Sequence, residues 1–172
     1  MEIINADILN TPADALILTV DGTRPGLEGN LARAFERRFP DDWKDMQRDV
    51  RYPIALGKTI AVPWDGDCPW KCILFASTLH HLDAHSDAEK YATVVLAFRN
   101  ALHHAQDLGL QTLSTTVFRG GWRMELGAGF SAMLDAWLSC HARYKGPKVS
   151  VFVQSEADRN VLAAEFALRC RA

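Results

Sequence analysis

The stretch Leu16 to Phe39, LILTVDGTRPGLEGNLARAFERRF, limits what this chain can fold into more than any other. Leu16, Ile17, Leu18 and Val20 form an apolar run without polar alternation, as a strand buried on both faces requires. The loop behind it carries Asp21-Gly22, Pro25-Gly26 and Glu28-Gly29, turn pairs that stop a strand and permit positive φ. Leu31, Ala34, Phe35, Arg38 and Phe39 then recur at helical spacing. Strand, loop and helix in this order make a crossover, the connection that parallel sheets need. The helix start leaves N–H groups without intrahelical partners, so the loop is a candidate anion or phosphate site. A purely structural crossover would look the same on these residues alone.

The rest of the chain repeats the alternation. Met1 to Leu9 reads as an edge or near-edge strand, and Asn10-Thr11-Pro12 turns the chain, since proline cannot continue a central strand. The first helix ends before Pro40, and Asp41-Asp42 favour a second short helix through Trp43 and Met46. Thr59 to Pro63 is the next strand, Trp64 to Trp70 a loop, and Cys72 to Ala76 a buried strand. Ser86 and Glu89 form a capping box, so a helix begins near Asp87 and ends at Gly109. Gln111 to Val117 is a strand, Phe118 to Arg123 (FRGGWR) a second glycine loop, and Leu126 to Trp137 a helix. Val149 to Val153 is the last strand, and Ser155 caps a final helix expected to turn Ala157, Val161, Ala164 and Leu168 inward. The pattern predicts an α/β fold: a three-layer α/β/α sandwich around a mixed, mostly parallel sheet. Ligands of such sheets sit at the carboxyl ends of the strands, where both glycine loops fall.

With 172 residues, 48% of them hydrophobic, the chain fits one domain over 1–172. Its 19 basic and 21 acidic residues are interspersed and give a net charge of -2. That balance offers no footprint for bulk nucleic-acid or membrane binding. No charged-then-apolar leader opens the sequence, so a cytoplasmic protein is expected. Cys68, Cys72, Cys140 and Cys170 are scattered and read as reduced thiols. His80, His81 and His85 lie near Asp83 and Asp87. Without a second half at matching spacing they read as a loop rim near a ligand mouth and not as a zinc site. No metal or cofactor is called for.

These residues together resemble a macro domain, the ADP-ribose-binding module. Asp7-Ile8 looks like the family's Gly-Asp-Ile, and Asp14-Ala15-Leu16-Ile17 like its Asp-Ala-Ile-Val. Gly26 to Leu31 is similar to its Gly-Val-Asp-Gly-Ala-Ile. Leu74 to Leu79 and Val94 to Leu102 resemble the strand and helix that follow an Ala-Pro-Thr-Met segment in one subgroup. The resemblance runs over nearly the whole chain and lies more in the order of its parts than in any one motif.

The resemblance implies roles. Asp7 would accept from the adenine amino group, Ile8 would offer its N–H, and Phe152 would stack on the base. Gly22, Gly26, Gly29, Asn30 and Leu31 would shape the first phosphate loop; Arg119, Gly120, Gly121 and Trp122 the second. Asp21 stands where catalytic members carry an asparagine near the distal ribose, and Glu28 flanks the same loop. These two carboxylates are the catalytic candidates, as water-orienting base and ribose anchor; a solvated Glu28 and an Asx turn at Asp21 are the plainer reading. The ligand implied is ADP-ribose or a related nucleotide diphosphate sugar, free or on an ADP-ribosylated macromolecule. Any reaction would be hydrolysis of an ADP-ribosyl bond or of ADP-ribose phosphate. The alternative is a degenerate, non-catalytic macro fold acting through protein contacts.

Overall fold

A computed structural model describes residues 1–26, 29–121, 123–142 and 146–170. The strands β1 (Glu2–Asn5), β2 (Ala15–Asp21), β3 (Thr59–Pro63), β4 (Cys72–Leu79), β5 (Thr112–Thr116) and β6 (Lys148–Val153) form one sheet in the order β1-β6-β5-β2-β4-β3. All neighbours are parallel except β3, which pairs antiparallel with β4. The helices are α1 (Asn30–Arg38), α2 (Pro40–Asp49), α3 (Asp87–Asp107), α4 (Leu126–His141) and α5 (Glu156–Arg169).

The period-two alternation of the central strands sorts the core into two halves. Ala15, Ile17, Leu74 and Ala76 face α3, α4 and α5, with Phe98, Phe130 and Leu162 buried against them. Leu16, Leu18, Ile73 and Phe75 face the other way, onto Phe35, Trp43, Met46 and Trp70. The expected α/β/α sandwich is therefore present, with Trp70 a core residue packed on Phe35 and Phe39.

Two local expectations change. Asp7-Ile8-Leu9 does not extend β1; Asp7 caps a single 3-10 turn, Ile8–Asn10, by accepting from Leu9 N at 3.0 Å. In α5 the inward residue is Leu162, with Phe166 partly buried, whereas Val161 is 53% and Leu168 72% exposed. Two apolar stripes of equal merit run along this helix, and tertiary packing selected the one that periodicity did not.

Two aspartates hold β2 at its ends. Asp14 precedes it and accepts from Gln111 N (2.8 Å), Thr112 N (3.0 Å) and Thr112 Oγ1 (3.1 Å), tying the start of β2 to that of β5. These bonds, Gln111 N foremost, hold its carboxyl below the usual range despite partial desolvation. Asp21 closes the other end and belongs to the site.

Candidate functional site

Because β1, β6, β5, β2 and β4 run parallel, their carboxyl ends share one edge of the sheet. Asp7 and Ile8 follow β1, Phe152 lies near the end of β6, the second glycine loop follows β5, the first follows β2, and His80-His81 follow β4. The residues singled out from sequence thus fall along one track. From β1 to β4 it spans four strand spacings, roughly 19 Å.

At the β2 end a register shift between Val20 and Asp21 sets Asp21 opposite Leu79 and not Thr78, the kind of irregularity that re-aims a side chain. Asp21 is 3% exposed. Its Oδ1 accepts from Thr23 N (2.9 Å) and Thr23 Oγ1 (2.6 Å). Its Oδ2 accepts from His81 N (2.9 Å) and lies 3.1 Å from His81 Nδ1. Burial pushes this carboxyl up, but the hydrogen bonds from Thr23 and His81, with the charge of His81, overcome burial and hold it below the usual range. Every lone-pair direction of Asp21 is engaged by its own chain. Sequence reasoning missed the partnership with His81, since 60 residues separate the two and only the β2–β4 pairing brings them together.

Gly22 sits under this pair. Its N–H donates to Leu79 O at 2.9 Å and its C=O accepts from Ile54 N at 2.7 Å. A Cβ there would collide with Ile54 O and Ser77 Oγ, so only glycine lets the backbones approach this closely. Gly26 is exposed, and Gly29 is the N-cap of α1, with no side-chain cap bond among the described residues. Asn30 is exposed and Leu31 packs partly on the α1–α2 core. Glu28 lies outside the described residues, as does Trp122.

The second loop leans over the end of β2 to reach β4. Gly120 and Gly121 have φ of 53° and 64°, and a Cβ on Gly121 would fall 2.7 Å from Leu79 Cδ2. Arg119 donates from Nε to Met124 O at 2.8 Å, within its own loop. Arg123 donates from Nη1 to Asp83 O (3.0 Å) and from Nη2 to His81 O (3.1 Å), bridging this loop to the one after β4. Helix α4 behind it has Glu125 as its N-cap, again with no side-chain cap bond among the described residues. Helices α3 and α5, which do not follow glycine loops, are capped by Ser86 and Ser155. Among the described residues α1, α2 and α4 carry no side-chain cap bond, and two of these three helices follow the glycine loops, which puts N–H donors for an anion there.

At the other end of the track, Asp7 is exposed and also accepts from Asn10 Nδ2 at 2.9 Å. Phe152 is 3% exposed among the apolar residues that include Ile8 and Leu9, so a base meets its ring only if those neighbours give way. His80 donates to or accepts from its loop surroundings through Nε2, 2.9 Å from Ile54 O, and through Nδ1, 3.5 Å from Asp83. A carbonyl can only accept, so Nε2 of His80 carries the proton in that bond. A separate groove of about 630 Å³ runs between β3 and α3, lined by Lys58, Asn100, His103 and His104; neither glycine loop reaches it.

No family model and no curated protein matches the sequence. Solved structures do match. The Oceanobacillus iheyensis macrodomain with ADP is 14% identical, with 98% of this chain and 90% of that one covered at a TM-score of 0.77. The macrodomain of Mycobacterium tuberculosis DarG is 19% identical over 90% of this chain and 97% of its own, at 0.64. An alphavirus P23pro-zbd chain also matches at 0.74 and 13% identity, and this chain spans 23% of its length. These matches cover 90% to 98% of this chain. The chain has the macrodomain fold.

Proposed function

We propose that the chain binds ADP-ribose, or a related nucleotide diphosphate sugar, along the carboxyl edge of the sheet. The reading is carried by the two glycine loops, which follow the adjacent strands β2 and β5 and each lead into a helix that has no side-chain cap bond among the described residues. Two such termini side by side suit the two phosphates of a pyrophosphate. The base would lie towards Asp7, Ile8 and Phe152, and the distal sugar towards Asp21 and the end of β4. Likeness to macrodomains solved with ADP and with ADPR supports this choice of ligand.

A second reading has its own observation. Arg123 spans from the second loop to the carbonyls of His81 and Asp83, and Gly121 presses on Leu79. Both narrow the mouth at the β4 end, as expected of a degenerate macro fold that works through protein contacts. Calorimetric titration separates the two. Saturable heat with ADP-ribose supports the nucleotide reading. Silence at high micromolar ADP-ribose, with AMP and NAD also silent, assigns the protein-contact reading.

A further inference from the structure

We infer that the free edge of β3 is a self-association surface: β3 pairs antiparallel with β3 of a second copy of this chain, about a two-fold axis at Ala61. The sheet then runs on through both copies. This edge is the rim of the sheet opposite β1, and the contact does not depend on nucleotide binding at the carboxyl ends of the strands.

Within the molecule β3 pairs only with β4, and the ladder shows which of its main-chain groups remain. Ser77 N donates to Lys58 O at 2.9 Å and Trp64 N to Lys71 O at 2.7 Å. The register runs unbroken from Thr59 opposite Ala76 to Pro63 opposite Cys72, so Ile60 and Val62 face β4. Thr59, Ala61 and Pro63 therefore turn their main-chain groups outward. Of these, Thr59 O is already taken. His104 Nε2 stands 2.9 Å from it, and a carbonyl can only accept, so the ring supplies the proton. Pro63 has no N–H to offer. What is left is Thr59 N–H, Ala61 N–H and C=O, and Pro63 C=O, none with a hydrogen-bond partner among the described residues.

These remainders complement themselves. In an antiparallel pair centred on Ala61, Ala61 N–H of each copy donates to Ala61 O of the other, and Thr59 N–H of each donates to Pro63 O of the other. The donor that Pro63 lacks would face Thr59 O of the second copy, the one acceptor that His104 has filled. Missing donor and occupied acceptor thus fall opposite each other. Centring the pair on Ile60 instead would set Ala61 N–H against Thr59 O in competition with His104. It would also set Pro63 O against Gly57 N–H, which donates to Ser77 O at 2.9 Å. A proline and a covered carbonyl also serve to blunt an edge, but blunting does not require that the two coincide in one register.

The helix above the edge fits the same axis. Helix α3 lies over β4 and β3, and the groove of about 630 Å³ beside it is lined by Thr59, Ala61 and Pro63 of the strand. Neighbouring strands are about 4.8 Å apart, so the axis sets the second copy's α3 two spacings away, roughly 10 Å, a packing distance for helices. The ends match as well. Asn100 Nδ2 donates to Gly57 O and His104 Nε2 to Thr59 O, so α3 and β3 advance together, with Lys58 at one end of the groove and Asp107 at the other. The two-fold turns each Lys58 end onto the Asp107 end of the other copy, cation to anion. It also turns Leu96, 41% exposed beside Gly57, towards Leu108, 46% exposed at the Asp107 end.

The test is sedimentation equilibrium of the full chain from low to high micromolar concentration, joined to hydrogen–deuterium exchange read amide by amide by NMR. The wild type is expected to form a dimer. The amides of Thr59 and Ala61 should slow as concentration rises, while those of Ile60 and Val62, held by β4, stay protected throughout. Ala61→Pro removes both donors on the axis and breaks no bond to β4, since an edge strand tolerates proline where the N–H faces outward. Association of that variant should weaken about tenfold or more. Asp107→Lys should weaken it too, and adding Lys58→Asp to that variant should restore it. If Ala61→Pro fails to fold, the exchange measurement on the wild type decides. A chain that stays monomeric through the series overturns the inference. So does a dimer whose Ala61 amide gains no protection, or one that folded Ala61→Pro does not weaken. A charge-swapped chain that associates no better than Asp107→Lys alone overturns the axis at Ala61.

Discussion

Asp14 and Asp21 are short acidic side chains that each accept several hydrogen bonds, and each joins β2 to a neighbour. Removing Asp14 leaves Gln111 N and Thr112 N without that partner, so Asp14→Ala should cost about 1–3 kcal/mol in urea unfolding at pH 7. The pH dependence has a definite sign. Both carboxyls are lowered on folding, so their contribution is complete above the ordinary carboxylate value of about 4 and is lost as pH falls through the lowered values. The gap between wild type and Asp14→Ala should therefore shrink when the urea midpoints are measured again below about pH 4. A gap that is constant with pH would mean that the charge of Asp14 contributes nothing. At the same scale, Cys68 and Cys72 are pushed up to about 11, chiefly by burial, which keeps them as inert core thiols.

At the scale of elements, α5 supplies the sharpest trial of packing against periodicity. Leu162→Ala should cost about 2–5 kcal/mol, whereas Leu168→Ser and Val161→Ser should stay within about 0.5 kcal/mol of wild type in chemical denaturation. The reverse ranking would put the helix in the other rotation. Most elements were legible in the sequence because each rests on a local signal. The apolar run of β2, the Ser86–Glu89 box and the Pro40 start of α2 each state their element within a few residues. The face of α5 was not legible, because Ala157, Val161, Ala164 and Leu168 offer as good a stripe as Leu162 and Phe166. The glycine loops were legible for the same local reason. The Asp21–His81 pair was not, since it depends on a register shift between two strands that no short window contains. The fate of Arg123 was equally hidden: a cation beside a glycine loop suggests an anion, and the fold gives it two carbonyls instead.

Across the whole molecule, stability is graded from the middle of the sheet to its rims. The centre is β2, between β5 and β4 and buried under helices on both faces, whereas β1 and β3 are the edge strands. Asp14 and Asp21 pin β2 at its two ends, so neither end can fray by itself. This turns β2 into an internal gauge. Its amides from Leu16 to Val20 should exchange with deuterium only through global unfolding, with protection matching the free energy from denaturant titration. Amides of β1 should exchange faster, through local opening at the rim. Slowing of exchange in β2 on adding ADP-ribose would then read the ligand's total contribution to folding, RT ln(1 + [L]/Kd), so one isotope experiment weighs the nucleotide without any label on it.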